Sequence, residues 1–301
     1  MRIAHVSDLH VLSPAGVHWR SVVFNKRLTG YANVLLRRAR VFRRDYLDTV
    51  LAAARHDADH VVVTGDLTNL SLETEYQEAR GMIEAMSRSV EVTVVPGNHD
   101  IYLPRVQRDG HFARHFAPYF VSDFPELAVD VPAGRFPCVK LRGPVAIVGL
   151  SSAVPRPPFV SAGRLGRRQL DALIRILAHP EVARRTPVVL VHHPPTKSRF
   201  RVEQLRSGLT DARAVGNVLG QLARGLVLFG HLHVRKHRKW PTAAGELDLV
   251  CASGAALDHA SDAIRAGYNV YEIDGAGQVA AIEARVLDAD GRTWRHLAVP
   301  Q

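Results

Sequence analysis

The chain has 301 residues, with 39 lysines and arginines against 29 acidic residues and a formal net charge of +10. A hydrophobic fraction of 47% and a charged fraction of 23% are typical of globular proteins and exclude a largely disordered chain. No apolar run approaches the roughly 18 residues of a membrane span. The polar pair Ser7-Asp8 comes too early for a secretory signal, and two cysteines make no disulfide framework, so we expect a cytoplasmic protein.

The positive charge is concentrated in one segment. Residues 11–44 contain eight basic residues and no acid, whereas the rest of the chain carries 31 basic and 29 acidic residues. Apolar residues recur there at helical spacing, with Arg37, Arg40 and Arg44 on the other side, which predicts a basic amphipathic helix. Three interpretations stay open: an ordinary surface helix, a lid over an anionic substrate, or contact with an anionic inner membrane surface through residues 20–44. The aromatic residues form no stacking platform, which disfavours nucleic acid as a partner.

Strands and helices alternate along the chain. In order, the pattern predicts a strand at 2–7, a helix at 45–56, a strand at 60–64, a helix at 73–87, strands at 90–95 and 145–150, a helix at 167–178, and strands at 187–191 and 226–229. The C-terminal part is rich in strands, which we expect to complete a second sheet in antiparallel fashion. This alternation predicts a layered α/β fold. Because no linker interrupts it, we expect one domain over 1–301 with a basic insertion at about 11–44.

Polar side chains follow five of the apolar strands, at the point where each strand ends. Such strand ends open into the crevice where layered α/β proteins bind ligands. The period of two turns Asp8 and His10 to the same side, and likewise His231 and His233, so each pair suits one metal ion. Two carboxylates, one amide and four imidazoles favour manganese, iron or zinc over magnesium or calcium. The seven candidate ligands are Asp8, His10, Asp66, Asn98, His192, His231 and His233.

The motifs Asp-x-His, Gly-Asp-x-x-x, Gly-Asn-His-Asp, a histidine after a strand, and Gly-His-x-His occur in this order. On these residues the chain resembles the calcineurin-like metallophosphoesterase superfamily over 1–233. The resemblance implies a four-layer αββα sandwich of two mixed β-sheets flanked by helices, with two transition metal ions at the strand ends. One ion would be held by Asp8, His10, Asp66 and His233. The other would be held by Asp66, Asn98, His192 and His231, with Asp66 bridging and His193 as the alternative to His192.

The same resemblance implies a hydrolase in which a metal-bridging hydroxide attacks phosphorus. It assigns catalytic roles to Asp66 and to His99, which would stabilise the transition state or protonate the leaving oxygen. Either Asp100 or Asp66 is a candidate to orient His99. Further candidates for substrate binding are Asn69, His193 and Arg235.

The Asp-x-His start, Gly-Asp-Leu-Thr-Asn and His-His-Pro-Pro are most similar to the bacterial branch with cyclic-nucleotide and glycerophosphodiester phosphodiesterases. We therefore expect an anionic small-molecule or nucleotide phosphodiester as substrate, rather than a monoester. One alternative is a lipid-linked nucleotide pyrophosphatase, similar to UDP-diacylglucosamine hydrolases, that acts at the membrane surface. A second alternative is a non-catalytic metal-binding scaffold, which the complete motif set disfavours.

Overall fold

The computed structural model describes residues 1–12, 27, 41–198 and 200–301. Most of the basic segment 11–44, with the predicted amphipathic helix and the membrane contact proposed at 20–44, lies outside the described residues. The strands are β1 Arg2–Val6, β2 His60–Val63, β3 Glu91–Val94, β4 Val129–Val131, β5 Gly134–Phe136, β6 Cys138–Arg142, β7 Val145–Gly149, β8 Thr186–Leu190, β9 Leu226–Phe229, β10 Lys236–Pro241, β11 Glu246–Cys251, β12 Gly267–Ile273, β13 Val279–Leu287 and β14 Trp294–Ala298.

The helices are α1 Arg44–His56, α2 Glu73–Ser87, α3 Pro104–Arg108, α4 His111–Phe116, α5 Arg167–Leu177, α6 Pro180–Ala183, α7 Arg201–Ser207 and α8 Ala212–Leu219. Of the four predicted helices, the three that lie within the described residues, α1, α2 and α5, match the expected bounds within one residue. Across the described ranges, no helix combines the length and apolar character needed to cross a bilayer.

Two six-stranded mixed sheets form the centre of the fold. The first has the order β14-β13-β12-β1-β2-β3, and the second has the order β10-β11-β9-β8-β7-β6. Strands β1, β2 and β3 run parallel, as do β7, β8, β9 and β11. Because parallel strands of one sheet end at the same edge, the polar residues that follow them are gathered on one side of the molecule.

Helices cover the outer faces of both sheets, which gives four layers. Alternate residues of β7, such as Val145 and Ile147, belong to the core shared with the first sheet, α1 and α2. Their neighbours Ala146 and Val148 face a second core that includes α5 and α8. A strand buried on both faces needs no polar alternation, which explains the continuous apolar runs. The predicted αββα sandwich is confirmed.

The prediction for the C-terminal strands is wrong in its details. Of the strands β11, β12 and β13, only β11 joins the second sheet, where it pairs parallel with β9 on one side and antiparallel with β10 on the other. Strands β12 and β13 extend the first sheet, because β12 pairs antiparallel with β1 (His5 opposite Asn269). Alternating apolar residues determine which face of a strand is buried, but they do not determine which neighbour it pairs with.

Candidate metal centre and active site

The turns after the strands hold the candidate ligands in a strained backbone conformation. Within the described residues, seven non-glycine residues have a positive φ, and five of them are candidate ligands. These are Asp8 (52°), His10 (46°), Asp66 (53°), His231 (68°) and His233 (54°). Left-handed backbone is costly for residues with a Cβ and persists where the surrounding structure imposes it, often at functional sites.

Two glycines allow the strand ends to approach one another. A Cβ on Gly97 would overlap the Asp66 carboxylate and its backbone nitrogen, and a Cβ on Gly230 would overlap the side chains of Ser7 and Asp8. The backbone of Gly230, which follows a strand of the second sheet, therefore packs directly against Asp8, which follows a strand of the first sheet. The backbone N–H of His231 also donates to Asp8 Oδ2 at 3.1 Å.

The first group of candidate ligands, which we call the carboxylate cluster, consists of Asp8, His10, Asp66 and His233. These four side chains offer ligand atoms that all lie within 4.8 Å of one another. His233 Nε2 lies 3.2 Å from Asp8 Oδ1, and His10 Nε2 lies 3.7 Å from Asp66 Oδ2. Asp8, His10 and Asp66 are buried, while His233 is partly exposed to the crevice.

The second group, the imidazole cluster, consists of Asn98, His192 and His231. His192 Nε2 lies 3.1 Å from Asn98 Oδ1 and 3.2 Å from His231 Nδ1. The same nitrogen lies 3.4 Å from Asp66 Oδ2. One oxygen of Asp66 thus faces both clusters, as the bridging role predicted for Asp66 requires.

Hydrogen bonds distinguish His192 from His193. His192 Nδ1 donates to the carbonyl oxygen of Thr64 at 2.7 Å, which leaves the lone pair of Nε2 directed at the cluster. Both ring nitrogens of His193 are engaged, since Nε2 donates to the Ser161 carbonyl and Nδ1 faces the Ser152 hydroxyl, each at 2.7 Å. His193 is therefore a support for the Ser161 loop, and the geometry favours His192 as the ligand.

Burial and neighbouring charges shift the pKa values of the candidate ligands. Burial alone would raise the pKa of Asp66, but the imidazoles of His192 and His99 hold that pKa well below its usual range. Burial alone would lower the pKa of His192, but the facing Asp66 carboxylate raises it to about 9. Burial, together with neighbouring His192, lowers the pKa of His231 to about 4. At neutral pH the metal-free His192 is therefore protonated and must release a proton before its Nε2 can bind a metal ion, whereas Asp66 is already anionic and His231 already neutral.

The residues present fit a pair of metal ions. Asp8 Oδ1 is buried and has no hydrogen-bond partner among the described residues, although it faces two histidine nitrogens. A buried carboxylate oxygen without a partner is costly unless a cation or donor satisfies it. Mixed nitrogen and oxygen donors at this spacing suit borderline transition metals better than hard cations.

His99 is oriented by a backbone carbonyl. Its Nδ1 donates to the carbonyl oxygen of Asn69 at 2.5 Å, and its ring stacks on Tyr102 with centroids 5.3 Å apart. Its own backbone N–H donates to Asp66 Oδ1 at 2.8 Å. The ring of His99 is thus held through Nδ1 by a backbone carbonyl, whereas the carboxylate of Asp66 contacts the backbone N–H of His99. Asp100 instead accepts N–H groups from Gly97 and from the 67–68 turn, which locks the two ligand loops together.

The loop behind His99 is braced by a residue of the basic segment. The buried guanidinium of Arg27 donates from Nε to the Leu70 carbonyl at 2.7 Å, and from Nη2 to the Ser71 carbonyl. On the other side, the buried carboxylate of Glu75 accepts three backbone N–H groups from the same 69–72 segment. Ser71 Oγ donates to the His99 carbonyl. The carbonyl that orients His99 thus belongs to a segment held from two directions.

Comparison with known proteins places this arrangement in a family. The family model of the calcineurin-like phosphoesterases matches residues 1–235. The chain belongs to this family. Members of this family use a dinuclear metal centre, which agrees with the two ligand clusters of this chain. The resemblance predicted from the motifs is confirmed.

Two curated relatives are phosphodiesterases by name. The chain is 27% identical over 234 residues to a probable cyclic nucleotide phosphodiesterase of Rhodococcus erythropolis, covering 77% of this chain and 64% of that protein. It is 33% identical over 100 residues to the glycerophosphodiester phosphodiesterase GpdQ of Enterobacter lignolyticus, covering 33% of this chain and 30% of that one. The chain thus spans less than two thirds of the length of either relative. Among solved structures, a dimetal phosphatase from Danio rerio shares the fold, with a TM-score of 0.58, 13% identity and coverage of 99% of this chain and 98% of that one.

A pocket of about 320 Å³ opens over the two clusters. Asp66, Asn98, His99, His231 and His233 form its floor, and Ser161, Ser207 and Leu232 form its wall. Sequence reasoning missed both serines, since neither belongs to a motif or follows an apolar strand. They reach the pocket because the 157–163 loop pairs with the residues after α7 (Gly163 N to Gly208 O, 3.0 Å).

None of the three candidates for substrate binding is among the residues that line the pocket. Asn69 takes part through its backbone carbonyl, and His193 is occupied by the two serine residues it contacts. Arg235 is buried, and its Nη1 donates to the carbonyl oxygens of Asp262 and Arg265. Because the guanidinium is committed to the backbone of the 262–265 turn, the structure gives Arg235 a structural position rather than one at the phosphate entrance.

Proposed function

We propose that the protein is a phosphodiesterase that uses two transition metal ions, manganese, iron or zinc, one in each cluster. The observation that supports this best is the position of Asp66 Oδ2, which faces His10 Nε2 of one cluster and His192 Nε2 of the other at 3.7 and 3.4 Å. A single carboxylate shared between two donor sets suits a two-metal centre for in-line displacement at phosphorus. When bound, such ions supply Lewis acidity to the phosphoryl oxygens and an activated water.

The chain's own residues hold this centre and manage the proton. His99 N–H fixes one oxygen of Asp66 and leaves the other for the clusters. Thr64 fixes the ring of His192 in the tautomer that presents Nε2. His99 lines the pocket with its Nδ1 proton held by Asn69, so its ring is placed to stabilise the developing charge or protonate the leaving oxygen.

The names of the two curated relatives support a phosphodiester of a small molecule or nucleotide as the substrate class. The scaffold alternative is disfavoured because all seven candidate ligands and His99 converge on one crevice. The lipid-linked pyrophosphatase alternative depended on residues 20–44, of which only Arg27 and 41–44 are described.

A hydrolysis panel tests this proposal. The metal-free protein, and protein reconstituted with Mn²⁺, Fe²⁺ or Zn²⁺, would be assayed on bis(p-nitrophenyl) phosphate, p-nitrophenyl phosphate, a cyclic nucleotide and a nucleotide-diphospho-lipid. We expect metal-dependent turnover, with the diesters cleaved faster than the monoester. Absence of turnover with every metal would support the scaffold instead, and turnover confined to the pyrophosphate would support the lipid-linked alternative.

A further inference from the structure

Five exposed apolar side chains lie around the mouth of the pocket. In the described part of the chain, eight large hydrophobic residues are exposed, and five of them are here: Phe159 (72%), Phe200 (66%), Val202 (76%), Leu205 (59%) and Leu232 (45%). We call these five residues the apolar rim. Exposed apolar residues scattered singly are normal on a protein surface, but their concentration beside a binding crevice indicates an interaction site.

Hydrogen bonds join two of the three segments that carry the rim, and the third segment lines the same pocket. Ser161 N donates to the Arg206 carbonyl at 2.8 Å, and Arg206 Nε donates to the Phe159 carbonyl at 3.3 Å, so the Phe159 loop lies against α7. Leu232 stands between the candidate ligands His231 and His233 and lines the same pocket as Ser161. Leu232 therefore connects the apolar rim to the metal centre.

Helix α7 exposes its two large apolar side chains, Val202 and Leu205, to solvent. It has no buried residue, and Phe200 immediately precedes it. Phe159 has a φ of 64°, a conformation that is unfavourable for a bulky side chain, and the residue is 72% exposed. Exposed apolar side chains of this size suit insertion into the boundary of a lipid layer.

The charge around the rim specifies the kind of surface. In the sequence, residues 154–168 and 195–208 contain eight basic residues and one acid, Glu203. The basic residues are Arg156, Arg164, Arg167, Arg168, Lys197, Arg199, Arg201 and Arg206. Basic side chains that flank apolar ones attract anionic headgroups while the apolar side chains enter the acyl region.

We propose that the apolar rim and its basic flank dock the protein on an anionic lipid bilayer, with the mouth of the pocket at the membrane surface. The binding surface stands independently of catalysis, whereas the orientation of the active site towards the membrane depends on the proposed function. Substrates held in or released from the bilayer would then reach the metal centre without crossing bulk water.

Vesicle co-sedimentation tests the surface. Full-length protein would be mixed with phosphatidylcholine vesicles or with vesicles of phosphatidylcholine and phosphatidylglycerol, at low and high salt. We expect binding to the anionic vesicles only, weakened by salt, and at least about tenfold weaker for Phe200→Ser/Leu205→Ser and for Lys197→Glu/Arg201→Glu. The matched control is Val121→Ser/Ile174→Ser, which removes two equally exposed apolar side chains elsewhere (63% and 50%) and should bind like wild type.

Three results would overturn the docking surface. These are wild-type protein remaining in the supernatant with anionic vesicles, an equal loss in the control, and a loss confined to Arg37/Arg40/Arg44→Glu, which would assign binding to the 20–44 segment. Size-exclusion chromatography showing a dimer that Phe200→Ser/Leu205→Ser dissociates would instead assign the rim to a second copy of the chain.

Turnover of soluble bis(p-nitrophenyl) phosphate, measured for every variant, separates the two proposals. This turnover should be the same in every variant as in wild type. Its absence in wild type would count against the proposed function alone.

Discussion

The carboxylate cluster and the imidazole cluster are adjacent, yet they are built differently. The carboxylate cluster contains Asp8 in addition to the shared Asp66, and three of its four members follow strands of the first sheet. The imidazole cluster has an amide and two histidines, and its nearest carboxylate oxygen is Asp66 Oδ2 at 3.4 Å from His192 Nε2. Negative charge in the centre is thus concentrated on one side, and the other side depends on a shared residue.

This difference predicts which cluster binds its metal ion more tightly. A divalent cation gains more from two ionised carboxylates than from one shared carboxylate and neutral donors, because the Coulomb term in a buried site is large. We therefore expect stepwise loading, with the carboxylate cluster filled first. The two clusters can be distinguished by removing residues that serve both, one or neither of them.

Removing Asp66 should have the largest effect because it serves both clusters. We expect Asp66→Ala to lose both metals together and to lower kcat by at least about 10³-fold, beyond the 10–100-fold typical of outer residues at metal sites. Metal analysis of the purified protein and steady-state kinetics check this. Asp130→Ala, an exposed aspartate on β4, is the control and should match wild type. Two metals retained by Asp66→Ala would show that the bridging assignment is wrong.

Single histidine variants should separate the clusters. We expect His192→Ala to retain one metal and His10→Ala to retain one metal, with the tighter of the two binding steps lost only in His10→Ala. Both variants should lose about 10²-fold or more in kcat, since in-line displacement needs both ions. Metal titration calorimetry identifies which step disappears. Identical titration curves for the two variants would remove the asymmetry between the clusters.

His99 should affect turnover without affecting either cluster. We expect His99→Ala to bind two metals normally and to lower kcat by about 10²-fold, the scale of a positioned proton donor, with little change in KM. His56→Ala, a histidine at the exposed end of α1, is a suitable control. If kcat stays at the wild-type value, another group carries the proton.

Arg27 should have the smallest effect, and that effect should pass through His99. We expect Arg27→Ala to lower kcat by about tenfold in the wild-type background and to change nothing in the His99→Ala background, because it braces the 69–72 segment that orients the ring. Arg108→Ala, an exposed arginine on α3, is the matched control. Equal losses in both backgrounds would indicate a general structural role that does not act through His99.

Much of the site could be predicted because ligand side chains directly follow apolar strands. Asp8 follows β1, Asp66 follows β2 and His192 follows β8, so locating the strands located the ligands. The choice between His192 and His193 could not be made this way, because both follow the same strand. It depends on the carbonyl of Thr64 and on Ser152 and Ser161, which are distant in sequence.

The partners of His99 show the same limit. The sequence leaves Asp100 and Asp66 as two candidates to orient the ring. In the structure, the Asp100 carboxylate is used by backbone N–H groups of two loops, and the Asn69 carbonyl holds the ring. Backbone carbonyls carry no sequence signature, so a hydrogen bond to one is invisible until the loops are placed.

The fold, the site and the distribution of charge each have a part that local sequence determines and a part that long-range contacts determine. The sequence alone determined the α/β layering, the order of the ligand motifs and the acid-free segment 11–44, because periodicity and local composition are properties of the chain. Tertiary structure decided that β12 and β13 join the first sheet, that Arg27 reaches the loop behind His99, and that two basic segments about 40 residues apart flank one apolar rim. These are long-range contacts, and no local pattern encodes which distant segments will meet.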